Sequence, residues 1–115
     1  MATYVRKFDI DPYRWELYLF SDRAKWAKFV TRRMGAGGRY KEAMDSGGIT
    51  LTDRENSAFY VGIFDGSQGT LAHEITHVAM GVLSTAGVVV DVENQEPLAY
   101  LIGHLVDLCN YVVEN

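Results

Sequence analysis

Along RWELYLF, Arg14 to Phe20, the apolar residues Trp15, Leu17 and Leu19 alternate with Glu16 and Tyr18. A period of two predicts a strand with one face inward. The period then changes. In DRAKWAKFVTRR, Trp26, Phe29 and Val30 fall on one side of a helical wheel and Lys25, Lys28 and Arg32 on the other. Ser21 stands where a helix cap belongs. The next segment, MGAGGRYKEAMDSGG, holds five glycines and reads as a loop, with one short turn around Tyr40 to Met44. Ile49 to Thr52 predicts a short strand and SAFYVGIF, Ser57 to Phe64, a stronger one, closed by Asp65-Gly66-Ser67. A helix follows from about Gly69 to Thr85, with Gly87 just past its end. Val88 to Val90 reads as brief extended backbone. A last helix starts near Asn94, accommodates Pro97 in its first turn and runs to about Val113. The pattern predicts an α+β domain: a small three-stranded sheet packed with about three helices.

Composition narrows this. With 115 residues the chain forms one domain, 1–115, and 48% apolar residues are enough to build a core. The lone Cys109 has no partner for an internal disulfide, which points to a reducing, cytoplasmic setting. The first twenty residues hold no long apolar run, so no signal peptide is expected, and no segment is apolar enough to span a membrane. The net charge of −4 is split: all 11 Lys and Arg lie between Arg6 and Arg54, and eight acids with no base follow from Glu55 onward. Acidic and apolar residues interleave with the bases in the first half, so a mixed solvated surface is expected there. Nucleic-acid binding through Lys25, Lys28 and Arg32 is disfavoured, because no base-reading or aromatic group interleaves that outer stripe. The GAGG run lacks the Lys and Ser/Thr of a phosphate loop and reads as a hinge or lid.

The acidic half carries the candidate chemistry. In TLAHEITHVAMG, Thr70 to Gly81, two histidines stand four residues apart. On a helix, residues i and i+4 share a face, so His73 and His77 can reach one Zn²⁺. Glu74 lies about 100° round from His73. A carboxylate there stands beside the metal and can take a proton from metal-bound water and return it to a leaving amine. Leu71, Ile75, Val78, Val82 and Ala86 form an apolar stripe on the opposite side from the histidines. Core histidines would more often sit within that stripe; a solvated pair is the plainer reading.

A catalytic zinc usually has three protein ligands. Glu96 lies 19 residues after His77 at the start of the last helix, on a face shared with Tyr100, Gly103 and Asp107. If Gly81 and Ser84 pack against Gly103, the two helices approach closely and Glu96 comes near the histidines. The plainer reading is a first-turn acid that complements the helix dipole. His104 is a more remote alternative ligand. Tyr100 could stabilise an oxyanion, although such tyrosines more often simply pack. Cys109 lies on the apolar stripe and reads as a buried small hydrophobe.

LAHEITHVA and the downstream NQEPLAYL resemble the HExxH helix and the glutamate helix of gluzincin-type zinc metallopeptidases. At this length the chain is similar to small zincin-like proteins of tailed bacteriophages. The resemblance spans about Ser57 to Leu108. It implies a minimal zincin-like fold, Zn²⁺ on His73, His77 and Glu96, Glu74 as general base, and residues 58–64 as an edge strand that binds an extended peptide. The sequence departs from the family where Tyr100 stands four residues after Glu96 in place of an aspartate; Asp107 or Asp65 would have to orient a histidine instead. The expected function is hydrolysis of peptide bonds in the cytoplasm, the host's if the protein is phage-encoded. The alternative is a zincin-shaped phage module that inhibits a host protein and holds zinc without turnover.

Overall fold

The structure, a computed structural model, describes residues 6–35 and 46–113. Most of the glycine-rich segment, expected as a loop or lid, lies outside the described residues. The sheet has four strands: β1 (Arg6–Ile10), β2 (Trp15–Phe20), β3 (Gly48–Asp53) and β4 (Ala58–Ile63), in the spatial order β1-β2-β4-β3. The pairs β1/β2 and β3/β4 are antiparallel and β2/β4 is parallel. The expected sheet of three strands therefore gains β1. RKFDI is mostly charged, so its pattern is weak, but Phe8 pairs with Leu17 and Ile10 with Trp15. Across that hairpin Lys7 Nζ meets Glu16 Oε2 at 2.5 Å.

Both faces of the sheet are covered. Helix α1 (Arg23–Met34) buries Trp26, Phe29 and Val30 against Tyr18, Phe20, Ala58 and Tyr60. Helices α2 (Gln68–Thr85) and α3 (Glu96–Cys109) close the other face over Leu17, Leu19, Phe59, Val61 and Ile63. This corrects the one-sided reading of RWELYLF. Tyr18 is buried like its apolar neighbours, because α1 covers the side expected to face water. The parallel β2/β4 pair requires a crossover connection, which α1 supplies. Trp26 fixes that crossing, donating Nε1–H to the carbonyl of Tyr60 at 3.1 Å.

The helix starts follow local chemistry. Asp22, not Ser21, caps α1, accepting from the amide of Lys25 at 2.9 Å. Pro97 sits in the first turn of α3 and Gly87 adopts φ 75° just after α2. A short 3₁₀ turn, Asn110–Val112, continues α3. Among the described residues no helix is long and apolar enough to cross a membrane.

Candidate functional site

The start of α2 is set by a chain of hydrogen bonds. Ser67 Oγ accepts from the amide of Thr70 at 3.0 Å, and Asp65 accepts from the amide of Ser67 at 3.0 Å and from Thr70 Oγ1 at 2.7 Å. The Thr70 hydroxyl, and then the Ser67 amide, hold the Asp65 carboxyl below its ordinary value. Asp65 thus anchors the helix start rather than orienting a histidine. Capping here fixes the register in which His73, Glu74 and His77 follow.

His73 and His77 lie on the exposed side of α2, with their Nε2 atoms 3.3 Å apart and their rings inclined at 75°. Two nitrogens on one tetrahedral zinc, each bonded at about 2.0–2.1 Å, stand about 3.3–3.4 Å apart. The pair therefore fits two adjacent positions of such an ion. Glu74 takes the other direction: it is only 6% exposed. Its Oε1 accepts from Thr50 Oγ1 at 2.7 Å, and its Oε2 lies 3.9 Å from His73 Nε2. The Thr50 hydroxyl also lies 3.2 Å from the Glu74 carbonyl, but its single proton goes to the shorter contact.

Gly48 makes this contact possible. A Cβ there would overlap Thr70 Cγ2 and stand 3.1 Å from Glu74 Cγ, so only glycine lets β3 lie this close to α2. Neither Gly48 nor Thr50 was singled out from the sequence. The available signal was GITLT, where Gly48, Thr50 and Thr52 alternate with Ile49 and Leu51. Such a small, polar face reads as solvent-facing unless the neighbouring helix is known.

The expected third ligand is not brought to this pair. Among the described residues no three His, Cys, Asp or Glu side chains converge closely enough to hold a metal ion. Packing explains the difference. Gly81 faces the Phe59 ring, whose Cζ would stand 3.1 Å from an added Cβ, and Gly103 has open space beside it. The small-residue faces therefore do not interlock. Instead α3 packs through Leu101, Leu105 and Cys109, leaving Glu96, His104 and Asp107 exposed. Tyr100 is 75% exposed and, among the described residues, has no hydrogen bond to His73, Glu74 or His77. Burial pushes the Cys109 thiol up to about 12, so it is no nucleophile.

The peptide-binding edge is also corrected. Residues 58–63 form β4, an interior strand paired on both sides and wholly buried. Beside α2 the edge is β3. The Phe64 amide donates to the Gly47 carbonyl at 2.8 Å, which makes 47–64 a hydrogen-bonded pair. By antiparallel alternation Ile49, Leu51 and Asp53 bond to β4, and the backbone groups of Gly48, Thr50 and Thr52 point away from it. The residue whose side chain holds Glu74 thus also presents its backbone at the edge.

No family model, curated protein or solved structure matches this chain.

Proposed function

We propose that this chain is a zinc-dependent metallopeptidase of the cytoplasm, centred on His73, Glu74 and His77, that takes an extended peptide along β3. The observation that carries this reading is the 3.3 Å Nε2 separation beside a carboxylate pinned to the sheet edge. His73 and His77 would supply two ligands to Zn²⁺, and among the described residues no third protein donor stands beside them. When bound, the ion supplies a Lewis acid and lowers the pKa of a coordinated water. Glu74 serves as the base. The Thr50 hydroxyl occupies Oε1, which leaves Oε2, on the histidine side, to carry the proton. Burial of Glu74 keeps bulk water from competing for that proton. The edge of β3 supplies main-chain hydrogen bonds that align a peptide past this carboxylate.

The donor set of two histidines supports a second reading: a phage-type binding module that inhibits a host protein and holds zinc only structurally. Two measurements separate the readings. Metal content by mass spectrometry is expected to give about one zinc per chain, lost in His77→Ala. Turnover of a quenched peptide library is expected in the wild type and lost in Glu74→Gln. Zinc without turnover favours the binding module. No zinc in either protein, after zinc is supplied and excess removed, overturns both.

A further inference from the structure

Between β3 and α2 the packing changes along its length. At Gly48 the two touch, and at Thr50 they are hydrogen bonded. Next to Thr52 lies a cavity of about 220 Å³. It is lined by the Trp15 and Phe59 rings, whose centres are 4.7 Å apart, and by Gly81, Ser84 and Thr85 of α2. Gly81 follows His77 by one helical turn, so the cavity lies next to the candidate site along the helix. The volume is below the roughly 300–1,000 Å³ of small-molecule pockets and suits a single side chain.

The lining carries one charged group, Arg54, and no carboxylate. Among the described residues the Arg54 guanidinium has no hydrogen-bond or ion-pair partner. Thr52 and Ser84 add hydroxyl donors. The complement of such a lining is a short apolar stem ending in a carboxylate: the methylenes lie on Phe59 and Trp15, and the head pairs with Arg54. An added strand on β3 would deliver it, because residues opposite Thr50 and Thr52 point to the same sheet face as those threonines.

We infer that the cavity between Thr52, Phe59 and Gly81 is a specificity pocket for a glutamate side chain of a peptide laid along β3. This rests on the reading of β3 as the peptide-binding edge, but not on bound metal or turnover. Bulk electrostatics argue the other way, since a chain of net charge −4 attracts a lysine peptide. A preference for glutamate is therefore diagnostic of the pocket.

The test uses the full chain in chelator, so that nothing is cleaved. Binding of fluorescent capped pentapeptides with a central Glu, Leu or Lys is measured by anisotropy, for wild type and Arg54→Glu. Amide shifts of Thr52, Gly81 and Ser84 locate the bound peptide. The glutamate peptide is expected to bind about fivefold more tightly than the lysine peptide, as a good exposed ion pair gives. Arg54→Glu is expected to reverse that order, with the shifts retained at Gly81. Equal affinity for the three peptides, a leucine preference, or a glutamate preference unchanged by Arg54→Glu would overturn the pocket. Failure to bind any peptide would overturn it together with the edge-strand reading. Neither result affects the zinc measurement, so failure of the pocket and failure of the metal site remain distinguishable.

Discussion

Tyr60→Phe offers the sharpest test of how this sheet is held. Tyr60 is fully buried in β4 and donates its hydroxyl to Asp53 Oδ2 at 2.6 Å. Asp53, 3% exposed, also accepts from Asn56 Nδ2 at 2.8 Å and from the Asn56 amide at 3.2 Å. Burial alone would raise the Asp53 pKa, but the Tyr60 and Asn56 bonds and the charge of Arg33 outweigh it and hold the carboxyl below its ordinary value. Burial, and donation to Asp53, raise the Tyr60 hydroxyl above its ordinary value, against the opposing charge of Arg33. The substitution removes only the hydroxyl. The ring stays, and with it the Arg33 guanidinium 5.7 Å from its centre. A hydrogen bond to a buried charge contributes about 1.5–3 kcal/mol, so the expected loss is about 2 kcal/mol. For a domain of this size that lowers Tm by roughly 8 °C. The pH dependence is more specific. A depressed carboxyl contributes stability above its unfolded value of about 3.9, and that stability is lost as pH falls through the folded value. A raised phenol contributes below its unfolded value of about 10, and that stability is lost as pH rises towards the folded value. The difference between wild type and Tyr60→Phe should therefore be flat between about pH 5 and 9 and shrink on both sides. Urea unfolding across pH measures it. A difference below about 0.5 kcal/mol at pH 7, or one that does not change in acid, would refute an ionised Asp53 held by this hydroxyl.

Gly48→Ala should destabilise the fold by about 1–3 kcal/mol, because the new methyl overlaps Thr70 Cγ2 and only separation of β3 from α2 relieves it. On the proposed metallopeptidase reading, the same change should lower peptide turnover more than zinc content, since it displaces Thr50 from Glu74 while leaving the histidine spacing on α2 intact; equal losses of both would contradict that division. Cys109, fully buried and with its thiol pushed up to about 12, should resist a thiol reagent at pH 8 in the native protein and react at once in denaturant. Rapid native labelling would show that the seam between α3 and the sheet opens readily.

Helix periodicity was legible from the sequence because each helix carries its own apolar stripe. Trp26, Phe29 and Val30 of α1, and Leu71, Ile75, Val78 and Val82 of α2, are buried as the wheel requires. The i, i+4 spacing of His73 and His77 likewise fixes their proximity, whatever surrounds them. Strand identity was legible for SAFYVGIF, but not its place in the sheet. An uninterrupted apolar run suits an interior strand, and its interior position follows from the parallel pairing with β2, a contact between segments some 40 residues apart. β1 escaped notice because three of its five residues are charged and its pairing, not its composition, makes it a strand.

The local sequence determined which residues can share a helix face. Which of those faces meet was decided only by tertiary packing. Both helices carry a small-residue face, and interlocking of those faces was a reasonable expectation. The fold instead places Gly81 on the Phe59 ring and packs α3 through its leucines, because a broad apolar face removes more surface from water than two glycines can. That choice keeps Glu96 away from the histidines. The packing of α2 on the sheet sets Gly81 beside the cavity near Arg54 and directs Glu74 inward onto Thr50. The residues of the site were written in a four-residue spacing, and their partners on the sheet in contacts no local pattern can specify.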